Sequence, residues 1–289
     1  MLDLRNIPSF NKNSYYFPKQ LGYKNLEYQY KSYIINKTHI LSSYIAEIFE
    51  IKNLYLNKSV NVIPDGCDDI IIVYDKNSIR SYISPSLEIT QSFAFSSEYV
   101  VFGIRFFPGA TANIFREDMC SILGYTPKVH YFLQDFNQVE ELLIESVTFE
   151  QRCNILISYF EKKIKDKDSK QLIINHFINK IITSKGNCFV KDLAEETGYS
   201  TRYIRKLFNS YVGHNPKELS NIIRLQNMLN YIEKNPQDNL ASIALNCGFS
   251  DQSHMNRESK RYLNTTVGNI RSNQDWLMNL SLKSKRIFY

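Results

Sequence analysis

The sequence lacks the patterns that mark disulfide-bonded, zinc-binding or membrane-spanning proteins. Its five cysteines and five histidines are scattered, and no two cysteines form a C-x-x-C pair, so neither a disulfide framework nor a metal cluster is indicated. It has no very long uncharged apolar run, so no membrane span is predicted. The N-terminal residues also lack the basic start and apolar core of a secretory signal. We therefore expect a cytoplasmic protein that uses no cofactor and no metal.

Positive charge is concentrated in the last third of the chain. The whole sequence has a net charge of +6, and residues 186–289 contain 14 Lys and Arg against nine Asp and Glu, a balance of +5. Solvated surface charge can produce a smaller bias of the same sign. A bias this one-sided is typical of a module that binds phosphate groups, as nucleic-acid-binding domains do.

The first part of the chain has the pattern of short β-strands. Up to about residue 135, runs rich in Tyr, Phe, Ile and Val alternate with turn signals. Ile70 to Tyr74 and Val100 to Phe107 read as buried strands, and Pro64-Asp65-Gly66 and Pro108-Gly109 read as turns. These runs predict a small antiparallel barrel or sandwich.

The pattern then changes to that of helices. From Gln138 to Ile164, apolar residues recur at three- and four-residue spacing, and the highly charged segment 161–171 marks a domain boundary. A long helix is predicted from Pro216 to about Lys234, because Pro is well placed in a first helical turn. The expected fold class is α+β, with a β-rich domain over 1–165, an all-α domain over 166–272 and a tail over 273–289.

One short sequence occurs twice in the all-α part. GYSTRYIRKLFNS begins at Gly198, and GFSDQSHMNRESK begins at Gly248, fifty residues later. In each copy Gly supplies a sharp turn, an aromatic residue fills the core and Ser is expected to cap the next helix. The pattern predicts two helix-turn-helix units joined by the long helix.

Polar side chains occupy the outward face of the second helix of each unit. The first unit places Arg202, Arg205 and Lys206 there. The second unit has one extra residue in its turn, so that Met255 takes the inward place of Ile204 and the outward residues are Gln252, Ser253, His254 and Arg257. These residue types can hydrogen-bond base edges or phosphates in a major groove.

Residues 175–272 resemble the C-terminal domain of AraC/XylS-type transcriptional regulators. The resemblance is carried by LAEETGYSTRYIRKLFNSYVGHNPKEL and IALNCGFSDQSHMNR. It implies a DNA-binding regulator and not an enzyme, with no catalytic residues. The implied DNA-binding residues are Ser200, Thr201, Arg202, Arg205, Lys206, Gln252, Ser253, His254, Arg257 and Lys260.

The second unit departs from the pattern of that family. Ser259 stands where the family usually has Phe, and Asn264, Val267 and Ile270 replace the expected Gly, Pro and Tyr. Loss of a core Phe removes on the order of 2 to 4 kcal/mol of burial unless neighbours refill the space. The departures predict a second unit that is less stable or packed differently.

The first part resembles the barrel-like, cupin-like domain that precedes some AraC-type regulators, through VIPDGCDDIIIVY and GIRFFPGATANIF. Such domains serve as sensors or dimerisation units. Strand alternation puts Arg105 on one face with Val101. Arg105 then either binds an anionic ligand or pairs with Asp65, Asp68 or Asp69.

The sequence as a whole predicts a transcriptional regulator that reads two successive major grooves and is modulated through its first domain. The expected partners are promoter DNA, RNA polymerase, a small-molecule effector and a second copy of the chain, with no membrane. The alternative is a ligand-independent DNA-binding protein whose first domain only dimerises or docks a partner.

Overall fold

The protein is described from a computed structural model. Most of the chain between residues 28 and 272 is covered, with a few positions before and after it. The described residues are 16, 18–20, 28–53, 59–74, 78–94, 97–115, 117–164, 169–272 and 285–287. The predicted domain boundary at 165/166 and most of the predicted tail lie outside these residues, so the domain limits stay a prediction.

The first part of the chain is built on antiparallel β-strands, as its alternating apolar runs predict. Five strands form one sheet in the order β1-β2-β7-β4-β5, and a smaller sheet has the order β3-β6-β8, in which β8 runs parallel to β6. The strands are β1 Tyr28–Tyr33, β2 Ile45–Asn53, β3 Ser59–Val62, β4 Asp68–Tyr74, β5 Ile79–Ser84, β6 Gln91–Ala94, β7 Val100–Phe106 and β8 Lys285–Ile287.

The larger sheet is buried on both faces in its central strands. Ile48, Ile70 and Ile104 are cross-strand neighbours and belong to the core under the helices of the first part. Their sequence neighbours point the other way, because side chains alternate along a strand. On that face the ring of Phe49 covers Gly103, where a Cβ atom would lie only 2.4 Å from the ring.

Helices cover the first of these two faces. After the short helix α1 Ala112–Phe115, α2 Phe136–Glu145 and α3 Phe149–Lys163 pack on the sheet. The helical pattern predicted from Gln138 to Ile164 is thus confirmed, with a break between α2 and α3. Thr148 ends that break with a capping box in which its hydroxyl accepts from the backbone N–H of Gln151.

The last part of the described chain is helical. Its long helix begins at Pro216 and ends at Lys234, as predicted. The helices are α4 Ser169–Thr183, α5 Val190–Thr197, α6 Thr201–Val212, α7 Pro216–Lys234, α8 Leu240–Asn246, α9 Gln252–Leu263 and α10 Val267–Ser272. The predicted α+β fold class is therefore confirmed.

Helix α7 contributes to two separate cores. Leu219 and Ile223 pack with α4, α5 and α6, whereas Ile222, Leu225 and Met228 pack with α8, α9 and α10. Because successive helical residues point to different sides, one helix can serve both cores. This places the two helix-turn-helix units on opposite flanks of one rigid element.

A turn of the β-rich part packs against α7. We call residues 63–67 the docking turn. Ile63 joins the second of the two cores and Cys67 joins the first, while the side chain of Gln226 donates to the carbonyl of Pro64 over 2.8 Å. A Cβ atom at Gly66, whose φ is +77°, would lie 2.8 Å from Leu219. Only a glycine lets the turn approach the helix this closely.

Candidate nucleic-acid interface

The first helix-turn-helix unit consists of α5 and α6. Gly198 has a φ of 74° and ends α5, and Ser200 caps α6 by accepting from the backbone N–H of Tyr203 over 3.2 Å. Leu207 and Phe208 are buried on the inner stripe of α6. The local structure is the one that the repeat predicts.

The outward face of α6 is basic and solvent-exposed. Arg202, Arg205 and Lys206 are exposed, as is Ser200, and Thr201 is half-buried. Among the described residues no ion pair involves the three cations. Their charge is therefore available to an anionic partner outside the chain.

The second unit consists of α8 and α9, and its cap differs from the predicted one. Ser250 was expected to cap α9 by analogy with Ser200, but the cap is Asp251, whose carboxylate accepts from the backbone N–H of His254 over 2.7 Å. The extra residue in this turn moves the capping position by one. The hydrogen bond from His254 lowers the pKa of Asp251, because it stabilises the ionised carboxylate.

The outward face of α9 is less basic than that of α6. Gln252, Ser253, Arg257 and Lys260 are exposed. His254 is half-buried, and its ring lies 5.5 Å from that of Phe249. Its Nδ1 atom lies 3.1 Å from the hydroxyl of Ser250, so this histidine already has a partner within its own unit.

The second unit accommodates its departures from the family pattern. Ser259 is fully buried, and its hydroxyl donates to the carbonyl of Thr265 over 2.7 Å. Asn264 has a φ of 56°, the left-handed conformation for which Gly is favoured and Asn is tolerated. Val267 and Ile270 are both buried. The second unit is thus packed differently from the family pattern, as predicted, and the residues that replace the usual ones are buried, hydrogen-bonded or in an allowed conformation.

Helices α6 and α9 both contribute to one cleft. The cleft has a volume of about 530 Å³, and its lining includes Arg205 of α6 and His254 of α9. The start of α7 also lines it, through Lys217, Asn221 and Arg224. The outward faces of the two units thus each contribute a residue to the same cleft, which sequence reasoning did not establish. Lys217 and Arg224 are basic lining residues that the sequence did not single out.

Arg105 does not line this cleft and is buried in the interior of the β-rich part. It is the cross-strand partner of Asp69, to which it donates two hydrogen bonds of 2.9 and 2.7 Å. Its guanidinium also lies 3.3 Å from Glu47 and 3.6 Å from Asp65. Of the two roles that the sequence left open, these contacts correspond to the ion pair.

The carboxylates around Arg105 are unusually buried. Burial raises the pKa of Asp69 to about 6, opposed by Arg105 and reinforced by Asp65 and Glu47. Burial likewise raises the pKa of Asp68 to about 7. Asp68 points away from Arg105, and the hydrogen bonds that it accepts from Thr111 and the backbone of Ser86 oppose this increase. Among the described residues, no group of three or more His, Cys, Asp or Glu is arranged to hold a metal ion.

These features define an AraC-type helix-turn-helix domain. Residues 193–273 match the helix-turn-helix domain family, which confirms the resemblance seen in the sequence. The protein is thus a DNA-binding transcription regulator. Residues 38–126 match a domain of unknown function, DUF6597. No helix among the described residues is both long and apolar enough to cross a membrane.

Several crystal structures of ToxT from Vibrio cholerae are similar to the chain. The structure from strain O395 shares 15% identity, with a TM-score of 0.39, and the match covers 88% of this chain and 99% of ToxT. The unsaturated fatty acid-bound wild-type protein from strain SCE256 shares 16%, with a TM-score of 0.37 and coverage of 89% and 97%. These likenesses are too distant to support a function. No curated protein matches the chain.

Proposed function

We propose that one chain reads an asymmetric DNA site by placing α6 and α9 in two successive major grooves. The observation that carries this proposal is the shared cleft, since Arg205 of α6 and His254 of α9 both line it. Helix α7 has 19 residues, which corresponds to about 28 Å. Successive major grooves on one face of DNA are roughly 34 Å apart, a separation that two units held by such a helix can span.

The exposed side chains of the two helices then divide between bases and phosphates. Arg202 and Arg205 in the first unit and Arg257 in the second suit guanine edges, and Gln252 suits adenine. Ser200, Thr201 and Lys260 lie at the ends of these faces and suit phosphates, while Lys206 and Ser253 suit either. His254 is half-buried, so its share in the contact is smaller.

Modulation by the first domain is the second part of the proposal. Its support is the contact between the β-rich part and the DNA-binding part at several separate points. Besides the docking turn, Thr90 donates to the carbonyl of Tyr262 through both its backbone N–H and its hydroxyl, at 2.9 and 2.8 Å. His214 at the start of α7 lies 2.9 Å from the hydroxyl of Ser86. A rearrangement of the first domain would therefore shift α7 and the units beside it.

The alternative is a first domain that only dimerises or docks a partner protein. One feature favours it: Leu142, Ile144 and Val147 in and after α2 are 52%, 60% and 82% exposed. Exposed apolar side chains can contact a partner protein, and Leu142 and Ile144, two residues apart, present them on two different faces of α2. A metabolite panel that shifts the melting temperature of the full-length protein supports the sensor, whereas a panel without any shift supports the alternative.

The two-groove proposal is tested by selecting bound duplexes from a random DNA library with the purified full-length protein. The expected result is an asymmetric site with two conserved blocks about one helical turn apart. Arg202→Ala and Arg205→Ala should then relax preference in one block only. Lys162→Ala, which removes an exposed charge from α3, is the matched control and should leave the selected site unchanged. A single conserved block would contradict the proposal.

A further inference from the structure

The two helix-turn-helix units meet where residues 186–188 lie against α7 near Arg224, a contact that we call the joint. The segment 186–188, which connects α4 to α5, lies directly against that helix. A Cβ atom at Gly186 would lie 2.2 Å from the carbonyl oxygen of Ser220 and 2.6 Å from the backbone nitrogen of Arg224. Ser220 also donates its hydroxyl to the carbonyl of Cys188 over 3.2 Å. The first unit is therefore fixed to α7 by backbone contact.

The second unit reaches the same segment through its own turn. Gly248 has a φ of +78°, and a Cβ atom there would lie only 1.9 Å from the side-chain oxygen of Asn187. The amide of Asn187 thus packs on the bare backbone of the turn between α8 and α9. Residues 186–188 consequently contact both α7 and the second unit.

One side chain touches both units at this joint. The Nη2 atom of Arg224 donates to the carbonyl of Gly186 over 2.8 Å, on the side of the first unit. The guanidinium carbon lies 5.6 Å from the centre of the Phe249 ring, in the turn of the second unit. A flat guanidinium can hydrogen-bond along its edge and stack on its face at once, which an ammonium group cannot do.

We propose that Arg224 is a positioning residue that sets the separation of the two recognition helices, and with it the length of the spacer between the two blocks of the DNA site. This inference rests on the two-groove reading proposed above. Arg224 lines the same cleft as Arg205 and His254 and contacts both units, so a change in its contacts would alter the angle between the helices that carry these two residues. The role differs from that of a base or phosphate contact, which would not select a spacer length.

The test measures affinity of the full-length protein for duplexes that carry both blocks at the selected spacing, or with one base pair added or removed. The wild-type protein should prefer the selected spacing by about tenfold or more. Arg224→Met, which keeps the length of the side chain but removes the hydrogen bond and the charge, should reduce this preference to within about twofold. Affinity for a duplex with the first block alone should stay unchanged, which also shows that the variant folds.

Two further variants separate positioning from charge. Arg224→Lys keeps the charge but loses the planar group, so it should behave like Arg224→Met. Lys217→Met removes a neighbouring charge from the same cleft and should weaken binding equally at every spacing, with the salt dependence reduced by about one counterion.

The outcomes distinguish the two proposals. A wild-type protein without any spacing preference overturns the two-groove reading and this inference together. A wild-type preference that Arg224→Met retains overturns the role of Arg224 alone. Rescue by Arg224→Lys, or a uniform loss of affinity with a smaller salt dependence, would identify Arg224 as a phosphate contact instead.

Discussion

The two helix-turn-helix units share one backbone plan but fill it differently. Eight residues after the cap, the first unit has Phe208 and the second has Ser259, and both side chains are fully buried. Phe208 stacks on Phe177 of α4, with ring centres 6.2 Å apart. Ser259 is satisfied by the carbonyl of Thr265. The residue at this buried position is therefore matched to the neighbour that is available on each flank of α7.

A second contrast concerns the tyrosine three residues further on. Tyr211 of the first unit is half-buried, whereas Tyr262 of the second is fully buried and donates its hydroxyl to Glu218 over 2.8 Å. The second unit thus relies more on a polar, hydrogen-bonded core. Hydrogen-bonded polar cores specify geometry but contribute less stability than apolar burial.

The largest difference between the two units is expected in the free energy of unfolding after a core substitution. Phe208→Ala should lower the free energy of unfolding by about 3–5 kcal/mol, because it leaves a cavity against Phe177. Ser259→Ala should cost only about 1–3 kcal/mol, since it removes one hydrogen bond and leaves a carbonyl unpaired. Urea unfolding of the two full-length variants compares them, and equal losses would show that the cores do not differ as described.

An intermediate effect is expected at the outward-facing position six residues after each cap, which we propose contacts DNA. Lys206 and Arg257 are both exposed there. Replacing either with Ala should weaken binding to the selected site by about 1–3 kcal/mol where it contacts a base. Competition with duplexes mutated in one block at a time should assign Lys206 to one block and Arg257 to the other. Assignment of both residues to the same block would contradict the expectation that each unit contacts its own block.

The smallest effect concerns the caps. Ser200→Ala should cost about 1 kcal/mol at any pH, because a hydroxyl cap does not titrate in the accessible range. Asp251 has a lowered pKa in the folded protein, so its carboxylate stabilises α9 above its ordinary pKa of about 3.8, and this contribution is lost as pH falls through the lower folded value. Wild type should therefore lose its advantage over Asp251→Ser as pH falls below about 3.8.

The control for this last comparison is the first unit itself. Unfolding midpoints of Ser200→Ala relative to wild type should stay constant over the same pH range. A pH-dependent deficit in that variant, or a constant one in Asp251→Ser, would contradict the assignment of Asp251 as the titrating cap.

Sequence reasoning succeeded where the signals are local. The bounds of α7 follow from Pro216 and the charged end at Lys234, and the strand patterns around Ile70 and Val101 match β4 and β7. The cap at Asp251 was missed because pairing Ser250 with Ser200 ignored the effect of the inserted residue on the cap. Such a shift becomes visible only when the start of the helix is known.

Contacts between distant segments could be predicted only in part. The sequence offered Asp65, Asp68 and Asp69 as possible partners of Arg105, but the choice of Asp69 depends on the register of β4 against β7. Gln226 meets Pro64 across 162 positions of sequence, and nothing in either segment signals the other. The docking turn and the joint at Arg224 are both products of tertiary packing, which no periodicity encodes.

Because α7 contributes to the cores of both units, the DNA-binding part should unfold locally as one unit. Leu219 and Ile223 belong to one core, while Ile222 and Met228 belong to the other. If α7 unwinds, the cores of both helix-turn-helix units therefore become exposed to solvent. The most protected amide hydrogens of α6 and α9 should then exchange with solvent through one shared opening event rather than two. A protease that attacks the opened state would therefore cut both helix-turn-helix units together.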